Sequence, residues 1–296
     1  MLKVNLIGHT KILNLLTRLQ QRRQLGHAYL FTGPQNIGKT SLVLSFLQTL
    51  YCQVNSKPCS ECQNCAMVAT GTHSDIWLVE RALGKQDITI EQIRELKNFV
   101  NLRSLNGGQR AVIIRNAEQM NVQAANALLK TLEEPPTNVI FFLTATNLNT
   151  LLPTIVSRCF GIPITLVNSL EIEQYLDTQN IEKSEAGLLT KLAGGRPGVV
   201  LELIKNKELL NERLSTAREF LSLFGGWLGT KTYLDKILNR EHESDHDSNK
   251  IKAQKILNIW LEVARDLLLL KSGNSSSIHY QNLKNDADLI NLYPLA

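Results

Sequence analysis

Gly33-Pro34-Gln35-Asn36-Ile37-Gly38-Lys39-Thr40 is the stretch on which the reading of this chain turns. The apolar run Ala28-Tyr29-Leu30-Phe31 precedes it, and Ser41 to Leu50 follows with helical periodicity. Strand, glycine loop and helix are the setting in which a phosphate loop works. The two glycines let backbone N–H groups converge on phosphate oxygens, and the helix N-terminus behind them adds a favourable dipole. In such a loop Lys39 reaches the β- and γ-phosphates and the Thr40 hydroxyl ligates Mg²⁺. The expectation is a nucleotide-binding α/β fold with Gly33, Pro34, Gln35, Asn36, Ile37, Gly38, Lys39 and Thr40 as its cradle.

The rest of the composition narrows the setting. A length of 296 residues suggests about two domains, or three small ones. Hydrophobic residues make up 43% and charged residues 20%, ordinary for a globular chain. No apolar run approaches the roughly 20 residues of a membrane-spanning helix. Met1 to Asn5 shows no charged segment leading into an apolar core, so a cytoplasmic protein without membrane contact is expected. The net charge of +5 permits nucleic-acid contact without arguing for it, because the lysines and arginines are scattered.

Outward from the loop, the pattern alternates. Residues 11–23 place Ile12, Leu15, Leu16 and Leu19 at helical spacing, with Arg18, Arg22 and Arg23 on a solvated face. Asp75 to Val79 reads as a strand, and Thr89-Ile90-Glu91-Gln92 as a helix start. Arg110 to Ile114 and Val139 to Leu143 are apolar without alternation, as buried parallel strands are. Between them Ala124 to Leu132 is helical and ends at Pro135-Pro136. Alternating strands and helices predict a mostly parallel sheet. After Pro163 no strand is evident. Three short amphipathic segments fill 169–205, broken at Gly194 to Gly198, and longer helical patterns occupy 208–237 and 251–270. Gly107-Gly108 reads as a turn, Glu241 to Asn249 as an exposed loop, and Ser272 to Ser277 as a flexible Gly/Ser tail.

Four of the five cysteines lie between Cys52 and Cys65. In a reducing compartment such a cluster points to metal rather than disulfides. Cys59-x₂-Cys62-x₂-Cys65 with Cys52 upstream offers four thiolates, the closed tetrahedral set of a structural zinc site. His73 is an alternative to Cys52 as fourth ligand. An iron–sulfur reading lacks the further cysteine and proline it needs, since Ala66-Met67 follows. A zinc-dependent DNA-binding role ranks last, because Lys57 is the one basic residue near the cluster. Cys159 stands apart and is expected to be semi-buried.

What the loop lacks matters as much. A phosphate-loop ATPase needs an aspartate for Mg²⁺ and a carboxylate to polarise water at the end of a neighbouring strand. After Val112-Ile113-Ile114 come Arg115 and Asn116. Arginine repels a cation and asparagine is no base. Glu118, two positions on, reads as surface at a helix start. Nucleotide can bind at such a site, Mg²⁺ lacks its usual carboxylate, and hydrolysis is not expected.

Ala124 to Pro136 (AANALLKTLEEPP), Ser157-Arg158-Cys159, the four-cysteine insert, and His27 to Phe31 leading into the loop together resemble the DNA polymerase III clamp-loader subunits of bacteria, members of the AAA+ class. The resemblance is close over residues 1 to about 205; beyond that only helical character and position match. It implies an AAA+ module over 1–166 with a zinc insert at 52–65, a helical lid over 167–206 and an all-α collar over 207–296. The collar looks short, as though a helix or two were truncated. Two kinds of member compete: a gamma/tau motor that hydrolyses ATP and a non-hydrolysing stator. Arg115-Asn116 stands where the motor has its acidic pair, and Gly198 where it has a second-sensor arginine. Arg196 sits two residues early and does not inherit that role, and the long tau extension is lacking. The stator is therefore favoured, with an ATPase of its own absent or very weak; a motor drawing its acid from Glu118 is the alternative. By resemblance Arg158 is an arginine finger acting in trans, Leu6, Ile7 and Gly8 lie where adenine packs, and Thr144, Thr146 and Asn147 are open candidates for a polar sensor. The implied partners are gamma/tau and delta subunits in a five-membered ring, the sliding clamp, and primed DNA.

Overall fold

The computed structural model describes residues 4, 6–54, 57–102, 104, 108–223, 246–273 and 278–280. The chain divides into two compact units, Met1–Asn168 and Ser169–Ala296.

The first unit is built on one sheet of β1 (Ala28–Thr32), β2 (Ile76–Val79), β3 (Arg110–Ile114), β4 (Val139–Ala145) and β5 (Phe160–Pro163). Their order is β2-β3-β4-β1-β5 and every pairing is parallel. β3 and β4 are buried at each position, which is why their sequences run apolar without alternation. Helices cover both faces. Leu16 of α1 (Thr10–Gln21), Leu42 and Phe46 of α2 (Lys39–Tyr51) and Val68 of α3 (Gln63–Thr70) join Phe31, Ile113 and Phe142 in one core. Ile93 and Leu96 of α4 (Ile90–Asn101), Leu128 of α5 (Val122–Glu133) and Ile155 of α6 (Pro153–Val156) join Leu30, Val112 and Phe141 in the other. Phe142 lies at the centre of the first core, its ring 5.9 Å from Tyr29 and 5.8 Å from Phe46. Each such aromatic pair adds roughly 0.5–1.5 kcal/mol beyond area burial.

Local chemistry sets the helix ends. Thr89 donates its backbone N–H to Gln92 Oε1 at 3.1 Å and so opens α4. Asn121 Oδ1 accepts the Ala124 N–H at 2.8 Å and opens α5, which stops before Pro135-Pro136. β5 was not expected: four residues containing Gly161 and Pro163, with Phe160 exposed, carry no apolar run, yet the segment pairs with β1 along an edge.

The second unit shows helices only among its described residues: α7 (Ser169–Thr178), α8 (Lys183–Ala193), α9 (Pro197–Lys205), α10 (Lys207–Ser222) and α11 (His246–Lys271). Pro197 at the first turn of α9 explains the break read at Gly194 to Gly198. The loop expected over Glu241 to Asn249 is corrected in part, since residues 246–249 form the polar first turn of α11. Residues 241–245, Gly107, residues 224–237 and 274–277 lie outside the described residues. No described helix is long and apolar enough to cross a membrane.

Candidate functional site

The loop leaves β1 at the carboxyl ends of the strands, where open parallel sheets place their ligands. Gly33 donates its N–H to the Ala145 carbonyl at 3.2 Å, so the loop starts against the end of β4. A side chain at Gly33 is barred, because its Cβ would sit 2.4 Å from the Ile164 carbonyl oxygen. Asn36 (φ 61°) and Gly38 (φ 100°) take positive φ, which turns the backbone tightly before α2 begins at Lys39. His9 Nε2 lies 2.8 Å from the Ile37 carbonyl and ties the loop to the segment entering α1. Lys39 is buried, and its Nζ donates to the carbonyls of Gly33 at 2.6 Å and Pro34 at 2.8 Å. Burial lowers its pKa, while the negative charge of Glu118 opposes that fall.

The end of β3 is as the sequence read it in residue type but not in layout. Arg115 turns aside to Glu80, 2.7 Å away. Asn116 takes φ 50° and donates its N–H to Thr144 Oγ1 at 3.0 Å. That turn throws the following residues back toward the sheet. Glu118 is therefore not the surface residue expected: its Oε1 accepts from the Thr146 N–H at 3.0 Å and the Thr146 hydroxyl at 2.9 Å. Its Oε2 is buried with no hydrogen-bond partner among the described residues. The sensor candidates separate accordingly. Thr144 is buried and holds Asn116, Thr146 holds Glu118, and the exposed Asn147 accepts from Asn149 N–H at 3.0 Å. Ile7 is buried and Leu6 packs against the core of α1 and α2.

Arg158 closes the short helix α6. Its guanidinium donates to Glu133 Oε1 at 2.5 Å and to the Thr154 carbonyl at 2.9 Å, and remains a third exposed. Sequence reading missed Glu133 as the holder, since 25 residues separate the two. Arg196 is committed elsewhere: it donates to Glu262 Oε1 at 2.8 Å, and Arg213 reaches Glu262 Oε2 at 2.5 Å.

Cys52, Cys59, Cys62 and Cys65 come together with all four sulfurs within 4.8 Å of one another. Backbone N–H groups point at them: Cys62 N lies 3.3 Å from Cys59 Sγ, and Cys65 N lies 3.5 Å from Cys62 Sγ at the start of α3. For Cys62, burial pushes the thiol up, but the Cys65 N–H and its neighbours outweigh this and bring it down to about 6. The donor set and its geometry fit one thiophilic metal ion. His73 is not part of the cluster; it stacks on Tyr51 at 4.3 Å and accepts from the Asp75 N–H. Cys159 is half-buried, its thiol pushed up to about 11 by burial.

The family described as "DNA polymerase III, delta subunit" matches residues 8–168. DNA polymerase III subunit delta′ of Pseudomonas aeruginosa is 37% identical over 62% of this chain and 57% of its own length. The Bacillus subtilis delta′ subunit is 29% identical over 92% of this chain and 81% of its own length. Subunit tau of Bacillus subtilis is 28% identical over 88% of this chain but 46% of itself.

Proposed function

The chain belongs to the DNA polymerase III delta-subunit family, and from that membership we propose that it is a delta′-type stator of the clamp loader. It holds nucleotide without cleaving it and lends an arginine to a neighbouring ATPase. One observation carries this reading: a complete phosphate loop faces a β3 terminus where Arg115 is bound to Glu80 and Asn116 merely turns the chain. The units are an AAA+ module over 1–166, a lid over 167–206 and a collar over 207–296. Gly33 to Thr40 cradles ATP, with Lys39 swinging from the loop carbonyls to the phosphates. Cys52, Cys59, Cys62 and Cys65 hold one structural Zn²⁺, which crosslinks the 52–65 insert.

Arg158 acts on ATP held by an adjoining gamma/tau subunit, neutralising charge that develops as the γ-phosphate leaves. Its pairing with Glu133 is partly exposed, and such pairs are worth only about 0–1 kcal/mol. Exchange of that carboxylate for a phosphate is therefore cheap. The assembly is a five-membered ring with gamma/tau and delta that loads the sliding clamp on primed DNA in the cytoplasm. Reconstitution with motor and delta subunits tests the assignment: Arg158→Ala lowers turnover at the adjoining site by about 10³-fold or more. Unchanged loading and ATPase would remove the finger while leaving the fold intact. The motor alternative draws support from the buried carboxylate of Glu118, but one of its oxygens is already spent on Thr146.

A further inference from the structure

We infer that a basic groove at the amino-terminal ends of β3 and β4 is a docking site for the phosphate backbone of duplex DNA. It lies at the end of the sheet opposite the Gly33–Thr40 loop and does not depend on nucleotide there. The groove has a volume of about 690 Å³. Four amides line it: Gln20 and Gln21 from the last turn of α1, Gln109 just before β3, and Asn138 just before β4. Two cations join them, Arg23 and Lys57. Lys57 is carried by the four-cysteine insert, so the fold brings together charges that stand far apart in the sequence. Among the described residues neither cation has an ion-pair partner, and no carboxylate lines the groove. Arg18 and Arg22, both exposed, stand at the same end of α1.

Arg23 argues most strongly for a ligand. The Gln24 N–H donates to the Leu19 carbonyl at 2.8 Å and the Arg23 N–H to the Gln20 carbonyl at 3.0 Å, which closes α1 in a Schellman motif. Arg23 holds the left-handed position of that motif, with φ 56°. Glycine is the usual occupant, because a residue with a Cβ takes this conformation only at a cost. The backbone motif gains nothing from arginine; the groove gains a cation. On the other rim the Asn138 carbonyl accepts the Arg110 N–H at 2.7 Å, and the Gln109 carbonyl accepts the Tyr51 hydroxyl at 2.9 Å. Both amides therefore hang from fixed backbone. Cations and amides are the groups that bind phosphate and sugar oxygens. Leu25 is the one apolar residue among the described lining, too little to anchor an acidic peptide. No aromatic side chain lines the groove to stack the bases of a single strand. Sequence-independent contact with a duplex backbone fits what is present.

The test follows fluorescence anisotropy of a short labelled duplex, and of the matching single strand, on titration with the full chain between roughly 50 and 200 mM salt. Wild type binds the duplex more tightly than the single strand, with affinity that falls as salt rises. Arg23→Gly combined with Lys57→Gln weakens duplex binding at low salt by about tenfold or more and reduces the slope of log affinity against log salt by about 2. Arg23→Gly alone puts the residue that the backbone prefers at that position, so its melting temperature stays level or rises while its duplex affinity falls. Lys183→Gln combined with Lys205→Gln makes the same change in net charge away from the groove and keeps the wild-type slope. The inference is overturned if that control loses as much affinity, or if wild type binds no duplex at low salt. Tighter binding of the single strand, or displacement of the duplex by an equal concentration of a glutamate-rich peptide, overturns it as well.

Discussion

Asp75→Ala removes one half of an ion pair at the amino-terminal ends of β2 and β3. Asp75 is fully buried, its Oδ2 accepts the Ser104 hydroxyl at 3.0 Å, and Oδ1 lies 3.6 Å from Arg110 Nε. Arg110 is also buried, donates to the Phe99 carbonyl, and spreads its guanidinium over the Phe99 ring, 4.5 Å from the centroid. The pair itself contributes little net stability, because desolvation offsets most of the attraction. Removing one member is another matter, since a buried guanidinium loses its counter-charge. The loss is about 3–5 kcal/mol. At roughly 2–4 °C per kcal/mol for a unit of this size, the melting temperature falls by about 6–20 °C. Circular dichroism on heating and in urea reads it. Asp75→Leu combined with Arg110→Met stays close to wild type, because well-packed apolar replacements of buried pairs are often neutral. A single variant within about 1 kcal/mol of wild type, or a double variant no better than the single, would refute the reasoning.

Other outcomes follow from the same structure. One zinc per chain is expected by metal analysis; Cys59→Ser abolishes it, and chelation of the wild type loosens residues 52–65 in hydrogen exchange while β3 and β4 stay protected. In the second unit, burial raises the Glu262 pKa but Arg213 and Arg196 outweigh it and hold the carboxyl below its ordinary value. Its stabilising contribution is therefore complete above the ordinary carboxylate range of about 4.3 and drains away as pH falls through the depressed folded value. Glu262→Gln flattens the acid limb of stability for residues 169–280 and lowers stability at neutral pH. Arg158→Ala, tested in the reconstituted complex, separates a finger from a mere surface pair.

Most of the first unit could be read from residues alone because its signals are local. Ala28 to Lys39 carries strand, turn glycines and helix start within a dozen positions, and four of the five cysteines lie within one short insert. Asn121 and Gln92 announce their helices through caps three residues long. What escaped depends on contacts distant in sequence. β5 exists because Tyr29 to Thr32 offers an edge, and nothing in Phe160 to Pro163 says so by itself. Glu118 looked like helix-start surface because its spacing from the strand implied a chain running outward. The positive φ at Asn116 instead folds it onto Thr146, 28 residues away. Arg196 was denied the sensor role on position alone, and its partner, Glu262, lies 66 residues downstream.

The stator reading stands or falls on whether the cradle cuts what it holds. Single-turnover hydrolysis of γ-labelled ATP by the purified chain, beside Lys39→Ala and with binding measured in parallel, is the direct measurement. Retained nucleotide with no phosphate release above the Lys39→Ala level is the predicted result. Sustained release that disappears with Lys39 would contradict it and make this subunit a motor.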